Sequence, residues 1–212
     1  MMDTEHITIV NEQRKPVGIA SRADIHKKGL WHETFHCWMA GREGDHYYIY
    51  LQRRSDYKKD FPSLFDITAA GHISANETIE DGVREVHEEL GIELTMDGLI
   101  SLGVIKDCII SEPFIDREFA HVHLYFLMNN DHFTLQQEEV SEVVKAAFID
   151  FYDFCLGLKS TLEIQHVTKK GKENKSIGKT DFVPHPDQYL IEVAKGIKKE
   201  LEGGDTGESY VE

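Results

Sequence analysis

Of the five acidic residues within Thr78–Leu90, four recur at helical spacing: Asp81, Glu85, Glu88 and Glu89. Ile79, Val83, Val86 and Leu90 recur at spacings of four, three and four, the period of an amphipathic helix with one buried stripe. At about 100° per residue, Glu85 and Glu89 lie about 40° apart, Glu88 lies about 60° to the other side of Glu85, and Asp81 falls close to the same face. Like charges at this spacing weaken a helix by a few tenths of a kcal/mol per pair, roughly. They also fall in the C-terminal half of that helix, where the macrodipole opposes anions. A solvated acidic face is one reading, since charge runs commonly are. The other is a cage of hard oxygen ligands suited to Mg²⁺ or Mn²⁺. Local rules broken together in one place favour function.

The elements that position these carboxylates are readable. Thr78 and Asp81 resemble a capping box, and Gly91 sits where a left-handed residue ends a helix. Upstream, Ile7–Val10 and Val17–Ala20 read as strands around a turn at Asn11–Pro16. Ser21 caps a short helix through His26 that Gly29 stops. Trp31–Met39 and His46–Leu51 form a hairpin across Gly41–Asp45, and Arg53–Phe65 is a loop. Asp66–Ala70, Leu99–Ile110, Phe119–Met128 and Val143–Ile149 complete the strands. Phe151–Leu158 and Gln188–Leu201 read as helices, and Lys169–Lys179 as a basic loop. Strands interleaved with few helices imply an α/β (α+β) fold with a mixed sheet.

The chain has 212 residues, a formal charge of −15 and 41% hydrophobic residues. That suits one domain with a sizeable core. We divide it into an N-terminal extension at 1–30, a core at 31–160, a C-terminal loop and helix at 161–202, and a tail at 203–212. So acidic a surface disfavours nucleic acid and anionic membranes as partners. No apolar run approaches the roughly 20 residues of a membrane span. Three scattered cysteines, Cys37, Cys108 and Cys155, fit a reducing, cytoplasmic compartment.

The segment Gly71, five residues, Glu77, then Arg84-Glu85-Val86-His87-Glu88-Glu89-Leu90-Gly91-Ile92 resembles the Nudix signature. It departs once: six residues, not seven, separate Glu77 from Arg84. The resemblance implies an α/β/α sandwich. It implies divalent ions held by Glu85, Glu88 and Glu89, joined by a carbonyl near Gly71, with Arg84 orienting the carboxylates. The reaction it implies is water attack on a phosphorus of a nucleoside diphosphate derivative, such as ADP-ribose, a dinucleotide or a nucleotide. A homodimer is compatible with it.

Outside this box, Arg22–Trp38 and Thr68–His72 are similar to the branch containing type I isopentenyl-diphosphate isomerase. That similarity implies a second metal set from His26, His32, His72 and Glu118, with the remaining isomerase glutamate falling at Ala120. His72 is also a substrate-phosphate candidate. Ala70 stands where the isomerase cysteine stands, and without a thiol that mechanism loses an acid–base partner. Isomerisation therefore ranks below hydrolysis, beside a third alternative, a nucleotide sensor with a disabled box. Glu118, at a loop-to-strand junction, is a metal ligand or general base. Arg53 and Arg54, ending a strand, are candidate phosphate grips. His121 and His123 share a strand face and can line a pocket. Residues 182–189, with two prolines, read as packing rather than catalysis.

Overall fold

The computed structural model describes residues 5–169 and 173–204. In chain order the strands are β1 (His6–Val10), β2 (Pro16–Ser21), β3 (Trp31–Glu43), β4 (His46–Arg54), β5 (Phe65–Asp66), β6 (Ala69–His72), β7 (Ile100–Ser111), β8 (Phe114–Phe126), β9 (Val140–Ala147), β10 (Thr161–His166) and β11 (Lys175–Gly178). The helices are α1 (Arg22–Lys28), α2 (Arg84–Leu90), α3 (Phe148–Cys155) and α4 (Asp187–Gly204). None of the helices described is long and apolar enough to cross a membrane.

One mixed sheet runs β11-β10-β9-β4-β3-β1-β2, with β6 and β8 also on β3, β7 on β8, and β5 on β4. Most pairs are antiparallel, whereas β3 and β8 run parallel from Trp31↔Arg117 to Ala40↔Phe126. β3 is buried on both faces from Thr34 to Gly41, where apolar side chains dominate both faces apart from Thr34 and His36. Trp38 and Ala40 join the core formed with α3 and α4. Phe35, Cys37 and Met39 pack on the other side with Val86 and Leu90 of α2. The result is the expected sandwich, helices on both faces of a mixed sheet.

The short caps behave as the sequence predicts. Ser21 accepts a hydrogen bond from the Asp24 backbone N–H, and Gly29 ends α1 at φ 61°. Gly91 ends α2 at φ 71°. Two expectations need correction. The helix predicted over Thr78–Leu90 is split into a 3₁₀ turn at Glu80–Val83 and an α-helix that begins only at Arg84. Asp81 does bond Thr78, accepting from its backbone N–H and its hydroxyl, but this closes the tight turn rather than capping α2. Glu85 therefore stands in the first helical turn, where the macrodipole favours an anion. The second correction concerns the C-terminal region. Beyond α3 the chain adds β10 and β11, where the sequence suggested loop. Leu162 and Ile164 alternate inward there, too short a pattern to separate from a loop by periodicity. Most of the predicted tail, from residue 205, lies outside the described residues, as do residues 170–172 of the basic loop.

Candidate active site

α2 packs against β6, and this contact builds the carboxylate site. Glu89 is buried, and its Oε2 accepts from Gln52 Nε2 at 3.1 Å and from the Ala70 backbone N–H at 3.3 Å. Glu85 is mostly buried beside Gly71. A Cβ on Gly71 would stand 2.1 Å from the Glu85 carboxyl carbon, so only glycine lets the two approach. Glu88 is more than half exposed. Arg84 ties the set together. It donates from Nε and Nη2 to the two oxygens of Glu77 at 2.7 and 2.9 Å, and from Nη1 to Glu85 at 2.6 Å and Glu88 at 3.1 Å. Its Nη2 also reaches the His72 carbonyl. The missing residue before Arg84 thus leaves the Glu77–Arg84 fork intact, because the 3₁₀ turn absorbs the shorter spacing.

Burial is the larger influence on the two inner carboxyls. It pushes Glu85 up to about 7, with Arg84 opposing and Glu88 reinforcing, and pushes Glu89 up to about 8, reinforced by Glu85. Glu85 has one counter-ion, Arg84, while the hydrogen-bond donors to Glu89 are neutral, so ionising both is costly and a divalent cation beside them would offset that cost.

A second cluster sits at the other end of β6. α1 presents His26, the start of β3 presents His32, and His72 ends β6. Their ring centroids are 5.2–5.7 Å apart. The Nε2 atoms of all three are buried without a hydrogen-bond partner. His32 shows why. Its Nδ1 lies 3.0 Å from the Leu30 carbonyl, which can only accept, so Nδ1 carries a proton and Nε2 is the nitrogen turned into the cluster. That Nε2 faces carboxylates, Asp116 Oδ1 at 3.5 Å and Glu118 Oε1 at 3.8 Å. His26 Nε2 is 3.4 Å from the same Asp116 oxygen, which itself has no hydrogen-bond donor. Imidazole nitrogens and carboxylate oxygens that converge in a buried pocket are a donor set suited to a cation. Burial, reinforced by His32, holds His72 well below its ordinary range and hence neutral. Burial raises Glu118 well above the carboxylate range, with the Asp116 charge adding to it. Asp116 itself is lowered: burial opposes this, and contact with His26 and His32 outweighs it.

The partner of Glu118 is therefore Asp116, not position 120. Strand alternation puts 116, 118 and 120 on one face, but Ala120 lies deeper, fully buried in the core with Trp38.

Glu85, Glu88 and Glu89 of the first cluster and His72, Asp116 and Glu118 of the second line one cavity of about 690 Å³, whereas His26 and His32 are not in its lining. Its cationic wall is Arg22, Arg54 and Lys58. Arg54 donates to Asp66 at 2.9 Å and to the Asp60 carbonyl, Arg22 pairs with Asp60 at 3.3 Å, and Lys58 pairs with Glu139. Arg53 points elsewhere, donating to the Ser63 carbonyl, and does not line the cavity. His121 and His123 lie on the opposite face of β8, His121 against Glu33 and His123 stacked on Phe35.

Sequence reasoning missed Arg22, Gln52, Lys58, Asp107, Asp116 and His185 as site residues. The signal for Asp116 was present in its parity with Glu118. Asp107 and His185 had none, since only the β7–β8 register and the approach of the C-terminal segment bring them in.

A family model of the NUDIX domain matches residues 30–168. The chain is 37% identical over 205 residues to an uncharacterised Nudix hydrolase of Clostridium acetobutylicum, covering 92% of this chain and 98% of that protein. It is 32% identical over 160 residues to Nudix hydrolase 3 of Arabidopsis thaliana, covering 72% of this chain and 20% of that longer protein. It is 28% identical over 121 residues to isopentenyl-diphosphate Delta-isomerase 2 of Photorhabdus laumondii, covering 57% of this chain and 66% of that one. The fold is similar to that of DR0079 from Deinococcus radiodurans, with TM-score 0.51, 16% identity, and 90% of this chain and 98% of that one covered. Fold, signature and relatives agree: the chain belongs to the Nudix hydrolase family.

Proposed function

We propose that the protein hydrolyses a diphosphate linkage in a small-molecule nucleoside diphosphate derivative, with Mg²⁺ or Mn²⁺ as cofactor. The observation that carries this is the cavity's polarity. Buried Glu85, braced by Arg84, and buried Glu89, held by Gln52 and the Ala70 N–H, face the same space as Arg54, Lys58 and Arg22. Carboxylates alone would repel a diphosphate, and cations alone would bind it without cleaving it. Phosphoryl transfer asks mainly for positioning and charge stabilisation. A volume of about 690 Å³ is within the usual range for a nucleotide-sized ligand.

Two residue sets suit divalent cations. Glu85, Glu88 and Glu89 are the oxygen set that the signature implies: Glu85 and Glu89 are buried on the cavity, with Gly71 against Glu85, and Glu88 is turned toward Arg84 at its rim. His26, His32 and His72, with Asp116 and Glu118, form a nitrogen-rich set that favours a transition ion such as Mn²⁺ over Mg²⁺. Bound cations would neutralise diphosphate oxygens and make a water molecule more acidic. The chain's own groups do the rest. Arg54 and Lys58 orient the diphosphate, Gln52 and the Ala70 N–H fix Glu89, and Arg84 fixes Glu85 and Glu88.

The isomerase reading loses support because Ala70 lines the cavity with no acid–base group, and Cys37 and Cys155 are buried in the cores. The deciding experiment is a panel with Mg²⁺ or Mn²⁺: ADP-ribose, dinucleotides, coenzyme A, nucleotides and isopentenyl diphosphate, with products identified by mass. Cleavage of one member between phosphorus atoms, lost in Glu89→Gln, is the expected result. Isomerised isopentenyl diphosphate, or tight binding with no cleavage anywhere on the panel, would refute it.

A further inference from the structure

Behind the histidine cluster lies a second group of side chains that the hydrolase reading leaves unused. Glu118 sits in one cross-strand row, with His32 on β3 to one side and Asp107 on β7 to the other. Its two oxygens face different partners. Oε1 is 3.8 Å from His32 Nε2, and Oε2 is 3.2 Å from His36 Nε2. His36, Asp107 and Glu118 present ligand atoms that all lie within 4.8 Å of one another, and so do His32, Asp116 and Glu118. One carboxylate is thus common to two potential ligand sets.

The inner set has the chemistry of a cation site. Asp107 is 1% exposed, yet its Oδ1 has no hydrogen-bond partner. Its other oxygen accepts from His185 Nδ1 at 2.5 Å, an outer contact of the kind that aims a ligating carboxylate. His185 also donates from Nε2 to Asp66 at 2.9 Å, so it is an imidazolium between two carboxylates. His36 is buried, with Nδ1 2.7 Å from the Tyr189 hydroxyl, which also accepts from Trp38 Nε1. His36 Nε2 faces Glu118 and the Thr34 hydroxyl, and a cation on Nε2 would keep the ring proton on Nδ1, toward the Tyr189 oxygen. Burial keeps this ring neutral, at about 4, against the pull of Asp107. Residues 182–189 therefore do more than pack: they supply His185 and Tyr189 to aim two of the three ligands.

We propose that His36, Asp107 and Glu118 hold a second divalent transition cation, with Glu118 bridging it to the cation held by His26, His32, His72 and Asp116. This rests on the reading that the histidine cluster itself binds a cation. A bridging carboxylate places two ions roughly 3.5–4 Å apart, close enough for their electrons to couple.

The test is Mn²⁺ binding to chelator-stripped protein, followed by equilibrium dialysis and electron paramagnetic resonance. Wild type should give the finely split spectrum of a coupled Mn²⁺ pair. His36→Gln should bind one ion fewer per chain and show only uncoupled Mn²⁺, and Asp107→Asn should do the same. His36→Gln leaves the Asp107–His185 pair in place, so it remains decisive if Asp107→Asn fails to fold, which thermal melting reports. A wild-type spectrum without coupling, or equal ion counts in wild type and His36→Gln, would overturn the proposal. The outcomes separate the two readings. Hydrolysis of a diphosphate by protein lacking a coupled pair overturns the bridge alone. A coupled pair in protein that cleaves nothing on the panel supports the bridge and removes the hydrolase reading.

Discussion

Replacing Glu89 by Gln should make the cation-free protein more stable while removing its activity. In the folded protein Glu89 is 5% exposed, and burial pushes its carboxyl from the ordinary 4.5 up to about 8. The unfolded chain releases this proton near 4.5, whereas the folded chain holds it until about 8. Between those values the unfolded state binds fewer protons, so stability falls as pH rises and levels off above 8. The full gap corresponds to roughly 5 kcal/mol at about 1.4 kcal/mol per pH unit. Relaxation and water penetration around buried charges reduce this to ~2–3 kcal/mol. Gln has no proton to lose, and its Oε1 can accept both the Gln52 and Ala70 donors. At about 2–4 °C per kcal/mol for a chain of this size, the variant should melt roughly 5–10 °C higher than wild type at pH 8 in chelator. At pH 4 the two should coincide. With saturating Mn²⁺ the order should reverse, since the variant gives up a ligand that ties cation binding to folding. Turnover should fall by more than the ~10–100-fold typical of outer-shell losses. A melting difference in chelator that is the same at pH 4 and pH 8 would refute the buried-charge argument.

Three other outcomes follow from the geometry. Gly71→Ala should displace Glu85, whose carboxyl carbon would lie 2.1 Å from the new Cβ, and lower kcat at least ~10-fold with little change in melting; an unchanged kcat would show that Glu85 need not sit there. Arg84 holds Glu77 down at about 2, so the Glu77–Arg84 fork stabilises the fold above pH 4.5 and loses that contribution as pH falls toward 2. Glu77→Gln should therefore cost ~1 kcal/mol at pH 7, discounted for its solvent-facing side, with the denaturation midpoints converging near pH 2. His32→Ala should abolish Mn²⁺ binding at the histidine cluster, seen as a lower ion count per chain in equilibrium dialysis, whereas an unchanged count would remove that cluster as a cation site.

Local sequence signals are strongest where one residue type meets one backbone demand. Ser21, Gly29 and Gly91 did what their types dictate, because capping and the left-handed conformation admit few residues. The alternation and aromatic content of β3, β4 and β8 likewise located the strands, although their ends ran several residues further. β10 escaped because six residues with two inward apolar side chains carry too little periodicity. Arg53 and Arg54 show the limit at the level of side chains. Adjacent residues in a strand face opposite ways, and nothing local says which faces the cavity.

The sequence by itself determined the family, and through it the fold, because the signature from Gly71 to Ile92 lies within one short, rule-bound segment; the same segment nominated Glu85, Glu88 and Glu89 with Arg84 as their brace. It also named three histidines and one glutamate of the second cluster. It did not determine that Asp116 completes that cluster, or that Asp107, His36, His185 and Tyr189 meet behind it. Those residues come from β7, β8, β3 and the entry to α4, up to 153 positions apart. Their meeting depends on the parallel β3–β8 register and on how the C-terminal segment crosses the cavity. A shift of one residue in that register would turn Glu118 to the other face. Such contacts are set by packing of the whole sheet, so tertiary structure alone decides them.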